Sequence, residues 1–229
     1  MIISTSHKFV YCAVPKVASR TLRGLFEPLN DEKLMKSLFP TLRAKSGNLA
    51  FHRPTGLRER MTKIGLEPAE FFWFGFVRNP WDRAVSRYYF EQARSRNEGA
   101  LGRISSKHVS YHKSMIGLSW EEYLLKTPYF PQSEWLRDDA GIAVEKIFRM
   151  EHLEADLVEL GALLGCDFDA PEISGATERE RDYRVYFEND RQIDAVARYY
   201  AEDILLGGYR YDGSFGERFD LSRLTAKPS

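Results

Sequence analysis

The sequence predicts an α/β fold in which a central parallel sheet is flanked by helices in three layers. Short, almost wholly apolar runs are typical of buried strands, and amphipathic stretches typical of helices follow them. Strands that alternate with helices favour parallel pairing, because the chain must cross a face of the sheet before it can form the next parallel strand. With 229 residues, of which 43% are hydrophobic, residues 1–229 are expected to form one domain with a sizeable core.

The predicted elements follow from these periodicities. In chain order they are a strand at 8–14, helices at 19–28 and 57–65, a strand at 71–77, helices at 80–96 and 119–126, a strand at 145–149, and helices at 151–164 and 189–203. Residues 97–117 are rich in Gly, Ser, Lys and His, so this stretch is expected to be a mobile loop.

The first informative motif runs from Phe9 to Phe26 and reads FVYCAVPKVASRTLRGLF, a strand that passes through a turn into a helix. Such a turn offers unpaired backbone N–H groups and the positive end of a helix dipole to an anion. Lys16 adds a point charge, while Ser19 and Thr21 add hydroxyl donors. The pattern predicts a P-loop-like phosphate site. Because Lys16 precedes the turn, however, the GxxxxGK[ST] spacing of ordinary ATP and GTP sites is absent.

A second motif, FFWFGFVRNPWDRAVSRYYF at 71–90, has the same strand–turn–helix form. Arg78 ends the apolar run, and Ser86 lies about two helical turns beyond Pro80. Ligands bind at this edge of open α/β sheets, and the forked N–H donors of an arginine suit a phosphate group. The two motifs together indicate a ligand with two separated anionic groups.

These motifs resemble the 5′-phosphosulfate loop and the 3′-phosphate motif of sulfotransferases that use 3′-phosphoadenosine 5′-phosphosulfate (PAPS). The resemblance is greatest to the carbohydrate-type, family 2-like enzymes, including their short bacterial members. PYFPQSEWL at 128–136, VEKIFRMEHL at 144–153 and RYYAEDILLGGY at 198–209 agree with it. It implies transfer of a sulfuryl group from PAPS to a hydroxyl of a carbohydrate or glycoconjugate acceptor, and no metal is required.

The resemblance also implies roles for individual residues. Lys16 would donate to the bridging or sulfuryl oxygens, and Arg78 and Ser86 would hold the 3′-phosphate. The backbone of four residues would hold the 5′-phosphate: Ala18, Ser19, Arg20 and Thr21. Arg20 stands where many relatives carry a small residue, so its side chain either contacts phosphate or points to solvent.

The proposed catalytic base is His52, which lies between the two motifs, as the catalytic histidine does in related carbohydrate sulfotransferases. Its imidazole titrates near neutral pH and can accept the acceptor hydroxyl's proton. A surface-loop histidine is the alternative. His108 and His112 are rivals for this role, and both are also candidates for acceptor binding.

The identity of the acceptor does not follow from the sequence. Its specificity is expected to reside in the longest loops, at residues 30–56 and 97–135. A nucleic-acid partner is not expected, and the oligomeric state is not predicted.

Cysteine content and hydropathy indicate the cellular compartment in which the protein is expected to lie. Cys12 and Cys166 are both expected to be buried, reduced thiols, which favours a reducing environment. The sequence has no signal-peptide pattern and no run of 18 apolar residues, so a cytoplasmic protein without an integral membrane segment is expected.

Two other classes of function stay open from the residues alone. One is a P-loop-type kinase using ATP, which the position of Lys16 and the arginine after the second strand disfavour. The other is a non-catalytic nucleotide-binding protein of the same fold.

Overall fold

The computed structural model describes residues 1–39, 52–97, 106–126, 130–169, 171, 179–217 and 221. Within these ranges the strands are β1 (Ile2–Ser4), β2 (Phe9–Cys12), β3 (Phe72–Val77), β4 (Arg137–Asp138), β5 (Gly141–Ile142) and β6 (Lys146–Arg149). The α-helices are α1 (Ser19–Phe26), α2 (Glu32–Leu38), α3 (Leu57–Lys63), α4 (Pro80–Ser95), α5 (Ser106–Ser114), α6 (Trp120–Lys126), α7 (Leu153–Leu164), α8 (Asp190–Tyr199) and α9 (Ala201–Gly207).

The central sheet has four strands in the order β1-β2-β3-β6. β2, β3 and β6 are parallel, with Phe9 opposite Phe72 and Val77 opposite Arg149, as the sequence predicts. The expectation of a wholly parallel sheet is wrong at the edge, because β1 pairs antiparallel with β2. β1 has only three residues and folds back directly into β2, so it carries no periodicity of its own. The sheet is therefore mixed.

One face of the sheet is aromatic, because alternate residues of a strand point to the same side. Phe9 and Tyr11 of β2 lie against Phe74 of β3, with ring centroids 5.7 and 5.5 Å from that of Phe74. Phe26 of α1 covers them, with its centroid 4.9 Å from Tyr11. Burial of each such ring contributes about 1.5–3 kcal/mol to stability. This packing fixes α1 directly over the strand from which it continues.

The opposite face of β3 is held against the segment around Leu136. A Cβ placed on Gly75 would lie 2.4 Å from Leu136 Cδ2 and 3.1 Å from the carbonyl oxygen of Cys12, so no larger residue fits there without movement. This close approach brings residues 130–136 to the sheet, next to the strand that ends before Arg78.

The expected loop at 97–117 is wrong in part, because residues Ser106–Ser114 form α5. Side chains of α4 hold the end of this helix. Gln92 Nε2 donates to the carbonyl oxygen of Met115 (2.7 Å), and Ser95 Oγ donates to that of His112 (2.6 Å). A helix fixed by polar side chains of its neighbour needs no clear apolar stripe, which is why its composition resembled that of a loop.

The helix expected at 189–203 is divided into α8 and α9. The break lies at Tyr200, whose φ of −114° and ψ of 27° leave the helical range. The Tyr200 side chain is almost fully buried, so packing in the core stabilises the break. The other predicted helices and strands begin and end within two residues of the observed ones.

Both cysteines are free thiols. Cys12 is buried, as expected, whereas Cys166 is partly exposed and its Sγ lies 3.1 Å from His7 Nδ1, so the expectation of burial is wrong there. In the part of the chain that the structure describes, no helix combines the length and apolarity needed to cross a bilayer.

Candidate active site

The three parallel strands end at the same edge of the sheet, where Cys12 pairs with Gly75 and Val77 pairs with Arg149. The chain then turns into α1 after β2 and into α4 after β3. Both motifs identified in the sequence therefore meet at one edge, which is the usual ligand-binding edge of an α/β sheet.

The turn that carries Lys16 has an unusual backbone. Lys16 and Ala18 both lie in the left-handed region, with φ of 67° and 37°, although neither is glycine. Each such residue costs about 1–2 kcal/mol, and a turn that contains left-handed residues can expose backbone N–H groups to an anion. Strain at this turn is consistent with a functional role for it.

Two features of the start of α1 favour the binding of an anion. Ala18 stands at the N-cap and, among the described residues, no side chain caps the helix; its first turn also contains no acidic residue. The N–H groups of an uncapped first turn point outward as donors. Ala18 and Ser19 are partly buried and Thr21 is buried, while the Arg20 side chain is exposed, which is the solvent-facing alternative for that residue.

Lys16 occupies a partly buried, electropositive position. Its Nζ lies 4.1 Å from the centre of the Phe90 ring on α4. Burial, followed by the nearby charge of Arg78, lowers the pKa of Lys16 to about 8, and the charge of Glu91 partly opposes this. A lysine with this pKa is still mostly protonated at pH 7, but it releases its proton more readily than an exposed one.

A buried arginine connects this turn to α4. The Arg83 guanidinium donates from Nε to the carbonyl oxygen of Pro15 (3.0 Å) and from Nη1 to that of Phe130 (2.9 Å). Burial lowers the pKa of Arg83, and the nearby Tyr200 and Asp203 oppose this. Arg83 therefore fixes the residue before Lys16 rather than remaining available to a ligand.

The backbone of Arg78 is also fixed. Its N–H donates to Gln132 Oε1 (2.9 Å), and Gln132 Nε2 donates back to its carbonyl oxygen (2.8 Å). The N–H groups of Gln132 and Ser133 in turn donate to Asp203 (2.7 and 2.9 Å). Gln132 therefore fixes both backbone polar groups of Arg78, and Asp203 holds Gln132 and Ser133 in place.

The N-terminus of α4 differs from that of α1, because a side chain caps it. Asn79 Oδ1 accepts from the N–H groups of Trp81 (3.0 Å) and Asp82 (3.3 Å). The N–H of Asn79 itself donates to Glu151 Oε1 (2.6 Å), and Tyr209 donates to the other oxygen of that carboxylate. Since these backbone donors are occupied, an anion at this end of α4 must be bound mainly by side chains.

The side chain of Arg78 reaches an acidic residue one helical turn away. Arg78 Nε donates to Asp82 Oδ2 (2.6 Å), and Arg179 Nη2 donates to Asp82 Oδ1. Ser86 follows Asp82 by four residues and therefore lies on the same stripe of α4, where it is buried. Arg179 was not predicted: it is far away in the sequence and belongs to no motif.

The predicted base lies apart from these contacts. His52 is partly buried and stacks on Phe39, with ring centroids 4.7 Å apart. Burial lowers the pKa of His52, with further contributions from the chain's amino terminus and Arg60, so the imidazole is neutral at pH 7 and can accept a proton. No contact in the described ranges joins it to Lys16.

His112, one of the two rival histidines, contacts an acidic residue of α4. The His112 side chain is buried, and its Nδ1 lies 2.6 Å from Glu91 Oε2. The side chain of His108 lies outside the described residues, as do residues 40–51, 98–105 and 127–129 of the two expected acceptor loops.

Residues 1–211 match the family model described as the sulfotransferase family. Because this match covers more than nine-tenths of the chain, the protein belongs to the sulfotransferase family, a family of transferases. No match was found among curated proteins or among solved structures. None of these findings supports the kinase alternative.

Proposed function

We propose that the protein transfers the sulfuryl group of PAPS to a hydroxyl of a carbohydrate or glycoconjugate. The observation that carries the proposal is that an uncapped helix start beside Lys16 and the side chain of Arg78 lie at the same edge of the sheet. PAPS has the two separated anionic groups that such a pair would bind. The strand–turn–helix unit from β2 to α1 acts as a P-loop-like cradle.

In this proposal the 5′-phosphosulfate lies on the turn before α1. The backbone N–H groups there hold the 5′-phosphate, and they belong to Ala18, Ser19, Arg20 and Thr21. Arg78 and Ser86 hold the 3′-phosphate, which distinguishes the donor from ATP. The left-handed φ angles of Lys16 and Ala18 support this placement, because strained backbone of this kind is concentrated at ligand-binding sites.

The transfer step requires a proton acceptor and a stabilised leaving group. The acceptor oxygen attacks sulfur, the bond between sulfur and the bridging oxygen breaks, and the electron pair leaves on adenosine 3′,5′-bisphosphate. Lys16 stabilises the negative charge that grows on the bridging oxygen, and its lowered pKa makes it a good hydrogen-bond donor there. His52 takes the acceptor's proton, for which its neutral imidazole is suited. The step itself requires no metal.

The proposal that the acceptor is a carbohydrate rests on the resemblance to carbohydrate-type enzymes. We assign the binding of the acceptor to residues 30–56 and 97–135. The free thiols of Cys12 and Cys166 suit a cytoplasmic enzyme.

A transfer assay tests the proposal. The purified protein is given PAPS labelled in the sulfuryl group together with a panel of glycans, simple sugars and phenols, and label on the acceptor is counted. Wild type should label at least one carbohydrate. His52→Ala should lower kcat by about 10²–10⁴-fold while the affinity for adenosine 3′,5′-bisphosphate stays nearly unchanged.

His7→Ala is the matched control, because His7 lies in the turn before β2, at the opposite end of the strand from Lys16. Its kcat should equal that of wild type. Transfer of the γ-phosphate of ATP instead would establish the kinase alternative. Binding of the bisphosphate without transfer to any acceptor would favour the non-catalytic one.

A further inference from the structure

The proposed 3′-phosphate site contains the carboxylate of Asp82, whose negative charge repels the phosphate groups of the donor. Asp82 accepts from Arg78 through Oδ2 and from Arg179 through Oδ1, so both carboxylate oxygens are engaged. The Asp82 side chain is only 15% exposed, which limits screening of its charge by water.

Asp82 neutralises the positive charge that Arg78 would offer to a phosphate group. Arg78 and Asp82 together carry no net charge, so this pair alone would not attract a phosphate dianion. The helix start cannot compensate, because Asn79 already accepts from the first N–H groups of α4. A further cation is needed for the site to be positive, and Arg179 is the cation in contact with this carboxylate.

Contacts with neighbouring residues fix the position of Arg179. Its side chain is 9% exposed, and its Nη1 also donates to the carbonyl oxygen of Glu180 (3.0 Å). The N–H of Glu180 donates to the hydroxyl of Tyr186 (2.8 Å), and the ring of Tyr186 packs on Tyr89 of α4 with centroids 5.4 Å apart. These contacts hold the segment that follows Arg179 against α4.

We propose that Arg179 binds the 3′-phosphate of the donor together with Arg78, and that it supplies the positive charge that Asp82 removes from Arg78. A guanidinium has five N–H donors, so each arginine keeps donors for phosphate oxygens while it contacts Asp82. The charge of Arg179 also contributes to the lowered pKa of Lys16, which places it within electrostatic range of the 5′ site. This inference rests on the proposed function.

Calorimetric titration with adenosine 3′,5′-bisphosphate and with AMP tests it, because the two ligands differ in the 3′-phosphate. Arg179→Ala should weaken bisphosphate binding about 10–100-fold, the usual worth of a charge-assisted hydrogen bond, and leave AMP binding unchanged. Unchanged AMP binding also shows that the variant is folded. Arg184→Ala is the control: Arg184 lies in the same segment, is exposed and pairs with Asp182, so both affinities should match wild type.

A second variant separates a charge effect from a loss of structure. Asp82→Asn removes the negative charge, so Arg78 alone is again positive. The double variant Asp82→Asn/Arg179→Ala should therefore recover much of the preference for bisphosphate that Arg179→Ala loses. Absence of recovery would overturn the inference.

The results also distinguish this inference from the function on which it rests. If wild type shows no preference for bisphosphate over AMP, the proposed PAPS site itself is wrong. If wild type shows the preference and Arg179→Ala retains it in full, only the role of Arg179 is wrong.

Discussion

Lys16 is expected to support activity at the expense of stability. Burial and the neighbouring Arg78 lower its pKa from 10.5 to about 8, which means that the folded protein disfavours its charged form. Lys16→Met keeps a long, unbranched side chain beside Phe90 and removes the charge. We expect this variant to be more stable than wild type and to lose about 10²–10³-fold in kcat, as when one transition-state donor is removed.

The stability gain can be estimated from the pKa. One pKa unit corresponds to about 1.36 kcal/mol, so a fall from 10.5 to about 8 corresponds to about 3 kcal/mol. The variant also loses the cation–π contact with Phe90, which reduces the gain in stability by about 0.5–1 kcal/mol. The free energy of unfolding at pH 7 should therefore rise by about 2 kcal/mol.

The gain should depend on pH. Lys16 loses its proton near pH 8 in the folded protein, whereas in the unfolded chain it keeps the proton until about 10.5. Between these values the unfolded state binds more protons than the folded state. The free energy of unfolding of wild type therefore rises with pH in this range, and the destabilisation caused by Lys16 disappears. The difference between variant and wild type should be largest below pH 8 and shrink toward pH 10.5.

Urea unfolding of both proteins at pH 7 and pH 9.5 measures this difference. Comparing variant with wild type at each pH cancels the titration of groups that they share. Lys113→Met, at an exposed position of α5, is the control and should change the free energy of unfolding by less than about 0.5 kcal/mol. The prediction is contradicted if Lys16→Met is less stable than wild type at pH 7, or if the difference in the free energy of unfolding does not narrow at pH 9.5.

Three further predictions concern the same site and its support. In a pH–rate profile, kcat/KM for PAPS should fall above pH about 8 as Lys16 loses its proton, and a profile flat to pH 10 would contradict its role. Asn79→Ala should lower the free energy of unfolding by about 1–2 kcal/mol in urea, because α4 loses its cap; an unchanged midpoint would show the cap to be dispensable. Gly75→Ala should cost about 1–3 kcal/mol by the same measurement, since its Cβ would overlap Leu136, and wild-type stability would mean that Leu136 moves freely.

The elements of the fold that are specified by a local sequence pattern could be predicted. The apolar runs at β2 and β3 and the amphipathic helices after them are each specified by a continuous segment. Parallel pairing then requires both turns to lie at one edge, so the meeting of Lys16 and Arg78 there was predictable. The three residues of β1 and the polar helix α5 lacked such a pattern, and both were missed.

The surroundings of the two motifs could not be predicted, because they depend on contacts between distant segments. Asp203 holds Gln132 across 71 residues, Gln132 holds Arg78 across 54, and Arg179 reaches Asp82 across 97. Such side-chain contacts follow from how the helices pack, and no spacing within a segment indicates them. Arg179 in particular looks like an ordinary surface arginine until the fold places it beside Asp82.

The most direct test of the two-site account is calorimetric titration of the wild-type protein with adenosine 3′,5′-bisphosphate, AMP and ATP with Mg²⁺, repeated on Arg78→Ala. Wild type should bind the bisphosphate most tightly, and Arg78→Ala should lose this preference while retaining its affinity for AMP. Equal affinities for the three nucleotides, or tighter binding of ATP with Mg²⁺, would contradict the two-site account.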